Sequence, residues 1–86
     1  MQDKYLLKKI SEEVQLLCNM NGFRKLTKLI VTVNYRSNVD EDNLLKQLHH
    51  MNKKTFGEWT EIQVLYDDIQ EKTAILHTIE GVKSSY

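Results

Sequence analysis

No proline interrupts this sequence, and its only cysteine is Cys18. One thiol cannot close an internal disulfide or build a cysteine-rich zinc site, and it fits a reducing compartment. Charge of one sign is missing too: 12 basic and 12 acidic side chains give a formal net charge of +0. That balance removes the electrostatic surplus with which nucleic acid or an anionic membrane is usually engaged. Lys8-Lys9, Arg24-Lys25 and Lys53-Lys54 are scattered pairs rather than a basic stripe. No apolar run approaches the roughly 18 residues that span a bilayer, and the opening MQDKYLLKKI lacks a signal-peptide core. The expected location is the cytoplasm, with neither nucleic acid nor membrane as partner. With 3 glycines, no repeat and no low-complexity linker, nothing marks an internal boundary, so residues 1–86 read as a single domain.

What is present is the composition of a globular protein, 41% hydrophobic and 28% charged. Over residues 3–21, Leu6, Leu7, Ile10, Val14, Leu17 and Cys18 recur at helical spacing, with Lys8, Lys9, Glu12 and Glu13 on other faces. Asn21-Gly22 supplies the stop, because glycine accepts the left-handed conformation of a helix end. KLTKLIVTVNY then alternates, with Leu29, Val31, Val33 and Tyr35 on one face and Lys28, Ile30, Thr32 and Asn34 on the other, as a half-buried strand requires. Asp40 can cap a second helix, with Val39 and Leu44 placed as a hydrophobic staple and Leu44, Leu45, Leu48 and Met51 as its buried stripe.

Two further strands run through EWTEIQVLY and TAILHTIEG. In the first, Thr60, Ile62, Val64 and Tyr66 share a face. In the second the alternation is ambiguous, Ala74 and Leu76 opposing Ile75, His77 and Ile79. The charged stretch 67–72 between them reads as the turn of an antiparallel hairpin. The fold class is α/β (α+β), two helices on one face of a three-stranded sheet in the order α-β-α-β-β, with the strand order open. The expected core contains Leu6, Ile10, Val14, Leu17, Val31, Val33, Leu48, Ile62 and Val64. The face away from the helices would then expose Ile30, Trp59 and Leu65, the expected partner-binding residues.

Candidate chemistry is sparse. His49 and His50 are adjacent on a helix and point about 100° apart, whereas a helix chelates through residues four apart. His77 stands alone on a strand, and Cys18, with no neighbouring base, reads as a small core side chain. Asp40, Glu41 and Asp42 lack the spaced oxygens and central glycine of a calcium loop and suit a helix N-terminus. With no phosphate-binding glycine motif and no nucleophile elbow, the chain reads as non-enzymatic, with no catalytic and no cofactor-binding residues.

A set of landmarks nevertheless resembles the nickel-binding part of the HypA/HybF family, accessory proteins of hydrogenase and urease maturation. Met1-Gln2-Asp3 stands where the family begins Met-His-Glu, and Gly22 ends the first helix. Thr27, Leu29 and Val31 lead the strand, and Val39-Asp40-Glu41-Asp42-Asn43-Leu44 parallels the family's second helix start. Thr55, Glu58, Thr60, Ile62 and Val64 follow in KTFGEWTEIQV. The family then inserts a zinc ribbon and returns with a strand that Ala74, Leu76, Ile79 and Glu80 match, so 67–72 resembles the closed junction of a chain without the ribbon.

The resemblance implies a HypA-like scaffold, a nickel site at Met1, Gln2 and Asp3, and nickel-enzyme maturation factors as protein partners. It implies no zinc. In the family the residue after the initiator methionine is a histidine. Imidazole is a good nickel ligand, whereas the Gln2 carboxamide is neutral and a weak donor, so impaired nickel binding is expected. The first expectation is therefore a metallochaperone-like accessory protein acting through protein–protein interaction. Two alternatives stand beside it: a working nickel carrier in which Met1 and Asp3 are joined by a histidine from elsewhere, and a small nucleic-acid-binding module.

Overall fold

The computed structural model of the protein describes residues 4–83, which form α1 (Lys4–Asn21), β1 (Phe23–Asn34), α2 (Glu41–Met51), β2 (Glu61–Asp67) and β3 (Ala74–Lys83). Helix α1 buries Leu6, Leu7, Ile10, Ser11, Val14 and Cys18. The Ser11 hydroxyl is accommodated by donating to the Leu7 carbonyl at 2.7 Å. The helix ends at Gly22, whose φ of 69° lies in the left-handed region. Helix α2 starts with a reciprocal capping box: Asp40 accepts from the Asn43 amide at 2.8 Å, and the Asn43 side chain accepts from the Asp40 amide at 2.9 Å. Val39 and Leu44 are both fully buried, as a staple requires.

Four expected buried positions sit differently. Leu17, Leu45 and Ile62 are only half-buried, Ile62 packed against the core, and Met51 is exposed. In each helix the buried stripe steps by four, through Ile10, Val14 and Cys18 and through Leu44 and Leu48, and places Leu17 and Met51 one position off it. The next step of the α2 stripe falls on Asn52, whose side-chain amide donates to Gln15 of α1 at 3.2 Å. The core further includes Leu26 and Phe56, both fully buried and neither anticipated.

The sheet order is β2-β1-β3, with β1 and β2 parallel and β1 and β3 antiparallel. Helix α1 packs on β1 and β3, and α2 packs on β2 and α1, which gives the two-helix, three-stranded α+β architecture expected. The hairpin between the last two strands is not formed. These strands run in opposite directions but flank β1, which puts them about 10 Å apart at the usual strand spacing. Residues 68–73 cross over the end of β1, held there by Tyr35 N–H donating to the Asp67 carbonyl at 3.1 Å and the Asn34 side-chain amide donating to the Ile69 carbonyl at 2.5 Å. Arg36 and Glu71 pair at 4.0 Å above the crossing.

The reason lies in β1 itself. Thr32 and Asn34 are buried along with Val31 and Val33; on the face away from the helices that shielding comes from side chains of the flanking strands, such as Leu65 and Ile75 beside Thr32, so this strand gains most from neighbours on both sides. β2 and β3 bury fewer residues and take the edges.

Irregular register resolves the ambiguous alternation of β3. Ile30 pairs with Thr78 and Val31 with Leu76, leaving His77 as an extra residue, a β-bulge. One residue is absorbed there, so Ala74, Leu76 and Ile79 all pack toward the core although their spacing is not a multiple of two. A second irregularity at Thr27 does the same for Leu26 and Leu29, both fully buried.

Candidate functional site

The expected metal residues Met1, Gln2 and Asp3 lie outside the described residues. The groups that follow them, Tyr5, Lys8, Lys9 and Glu12, line a shallow surface depression at the start of α1.

Opposite the helices lies a sheet face that no described element covers. Its central row is Thr32, flanked by Leu65 of β2 and Ile75 of β3; the next row is Ile30, flanked by Gln63 and Thr78. His77, put on this face by the bulge, is hydrogen-bonded through Nε2 to Thr32 Oγ1 at 2.6 Å. Of the expected partner-binding residues, Ile30 is half-buried here and Leu65 is 39% exposed. Ile75, at 46% exposed, belongs to the same patch but was hidden by the ambiguous alternation of its strand.

Trp59 is placed apart. Its ring lies against Gly57, where a Cβ would come within 2.5 Å of it, and its indole N–H donates to the Thr55 carbonyl at 3.1 Å. Lys25 Nζ sits over the ring at 4.5 Å. Between Trp59 and the Ile30–Leu65–Ile75 patch runs a charged cross-strand row, Glu61, Lys28 and Glu80.

The remaining candidates have structural partners. Cys18 is fully buried, and burial raises its thiol from 9.0 to about 11. His49 and His50 are both exposed, and His49 donates through Nδ1 to the Phe56 carbonyl at 2.8 Å. A groove of about 330 Å³ brings His49 near Asp42 and Glu58, but among the described residues no three His, Cys, Asp or Glu side chains converge as metal ligands. No described helix is long and apolar enough to cross a membrane.

The two sheet edges are treated differently. Along β2 the Val64 amide donates to the Glu41 carboxylate at 2.8 Å, and the Tyr66 hydroxyl donates to the Val39 carbonyl at 2.6 Å. The start of α2 thus caps one backbone amide of that edge and is tied to the strand by a second bond. Burial, with Glu41 and Asp40 close by, raises the Tyr66 hydroxyl pKa above its usual value. No comparable side-chain bond closes the outer edge of β3 among the described residues.

No protein-family model and no curated protein matches the chain by sequence. Among solved structures it is similar to the solution structure of the Ni metallochaperone HypA from Helicobacter pylori, with a TM-score of 0.66, 8% sequence identity, and coverage of 98% of this chain and 100% of that one. At this identity the likeness is one of fold: the chain has a HypA-like architecture.

Proposed function

We propose that the protein is a non-enzymatic HypA-like accessory protein, related to nickel metallochaperones, whose N-terminal nickel site is impaired and which acts through protein contacts. The observation that carries this reading is the likeness of fold to a Ni metallochaperone over 98% of the chain, together with the family-type landmarks from Met1-Gln2-Asp3 to Val64. The contacts fall on the open sheet face around Ile30 and Leu65, with Trp59 beyond the charged row, and the partners are proteins of nickel-enzyme maturation working in the cytoplasm.

The donor set at the N-terminus does not suit tight nickel binding. A terminal amine and backbone amides need an imidazole to complete a strong nitrogen site, and Gln2 offers a poorly basic carboxamide in its place. Gln2→His supplies the missing ligand. The two forms are compared with Met1 as the first residue of both.

Calorimetric titration of nickel, with any tag kept off the N-terminus, should give weak or no binding to the natural chain and tight binding to Gln2→His. Affinity of the variant should fall as pH drops through the histidine range, because protons compete for the ligand nitrogen. Equal tight binding by both forms would assign the metal to other ligands and make the chain a working carrier. No binding by either would remove the N-terminal site from the reading.

A further inference from the structure

One edge of the sheet has its central Val64 amide capped by Glu41; the other, β3, presents ten residues, Ala74–Lys83, with no proline among them and no side-chain cap among the described residues. An open edge of this length is a template for another strand, and the sequence of β3 specifies which one. We infer that β3 pairs antiparallel with β3 of a second copy of this chain about a two-fold axis at Ile79, joining two three-stranded sheets into one.

The self-complementarity depends on the bulge. In a regular strand Ile75 and Val82, an odd number of residues apart, would point to opposite faces. The extra residue at His77 puts both on the open face, where they are 46% and 43% exposed. Counting His77-Thr78 as one step, Ile79 lies midway between Ile75 and Val82. An antiparallel partner centred there sets Ile75 opposite Val82 of the second copy, and His77-Thr78 opposite Glu80 of the second copy. On the core side it sets Leu76 opposite Gly81. Each direct pair then shares a face, as antiparallel pairing requires.

The two-fold axis repeats each pairing, so the interface has two apolar pairs and two imidazole–carboxylate pairs. His77 Nε2 is engaged by Thr32 at 2.6 Å, which fixes the ring and leaves Nδ1 for the carboxylate. The Glu80 carbonyl accepts from Thr27 Oγ1 on the β1 side at 3.2 Å. By alternation, Ile79 and Gly81 turn their amides and carbonyls to the free edge, where the second copy would meet them. Pairing also makes the two open faces continuous, with Ile75 and Val82 of each copy bridging the seam.

The test is sedimentation equilibrium of the full chain over a wide concentration range, combined with mixed oxidative cross-linking of two single-cysteine variants at exposed positions, His77→Cys and Glu80→Cys. Native Cys18 is buried and does not compete. The expected result is a dimer mass at high concentration, a disulfide-linked heterodimer in the mixture, and several-fold less cross-linking of either variant alone, because like positions lie on opposite sides of the axis. Glu80→Lys should lower the dimer fraction several-fold, and adding His77→Glu should restore it. A monomer at every concentration would overturn the inference, as would a dimer whose mixed variants cross-link no better than each alone.

Discussion

Replacing Thr60 by valine changes one hydroxyl for one methyl of nearly the same shape, yet it should be among the costlier single changes in the chain. Thr60 is 6% exposed, and its Oγ1 donates to the Leu26 carbonyl at 2.7 Å while accepting from the Gly57 amide at 3.1 Å. The hydroxyl therefore ties the 52–60 connection to β1, beside the backbone bond from Leu26 N–H to the Thr55 carbonyl at 2.9 Å. Valine removes the partner of both groups. Stranding a buried polar group costs about 1–3 kcal/mol, so the pair amounts to roughly 2–6 kcal/mol. A domain of this size has roughly 4–13 kcal/mol in all at the usual stability per residue. Near the middle of that loss the melting temperature should drop by about 16–32 °C.

Thr60→Ser separates the hydroxyl from the methyl. It keeps both hydrogen bonds and gives up a methyl worth about 0.8 kcal/mol. Urea unfolding followed by circular dichroism should rank natural chain, serine, valine in falling order. Valine within about 0.5 kcal/mol of the natural chain, or more stable than serine, would refute the claim that the Thr60 hydroxyl fastens this connection.

Leu48, fully buried on α2, should cost about 2–5 kcal/mol on truncation to alanine; a natural melting curve for Leu48→Ala would remove it from the core. Cys18 predicts an alkaline effect of definite sign. Its folded pKa of about 11 lies above the ordinary 9.0, so the folded state holds more protons between these values, and stability present below pH 9 is lost as pH rises through 11. Tyr66, also raised, contributes in the same direction at higher pH, so the check is the difference between the natural chain and Cys18→Ala in denaturant melts. That difference should shift in favour of the alanine variant across the window.

The helices were legible because each carries its own signals: a four-residue apolar step in both, Gly22 at the end of α1, and Asp40 with the Val39–Leu44 staple at the start of α2. The strands were legible as strands for the same local reason. Their order was not, because a short charged connection is compatible with a hairpin and with a crossing. The signal that could have decided it is LIVTV, a run with no exposed partner face, which belongs in the centre of a sheet rather than at its edge. Phe56 and Leu26 carry no local signal because they are buried by a connection with no periodicity of its own, fastened by Thr55 and Thr60 through bonds that span distant parts of the chain.

The acidic cluster at the start of α2 shows how far local reasoning about a site extends. By sequence Asp40, Glu41 and Asp42 all suit capping and dipole roles, and Asp40 is the cap. Glu41 instead accepts the Val64 amide, 23 residues away, and caps an edge strand whose existence was legible but whose exposure was not. Nothing in the local sequence distinguishes these neighbouring carboxylates; the difference is made by the parallel placement of β2 beside β1, which brings the outer side of Val64 under the first turn of α2. The bulge at His77 works in the opposite sense on the other side. It was visible only as a broken alternation, and it gathers Ile75, His77, Glu80 and Val82 onto one face of an edge that no described side chain seals. A sheet with one edge capped at its centre by its own helix start and the other left self-complementary favours association through β3, whereas two equally open edges would allow chains to add without limit.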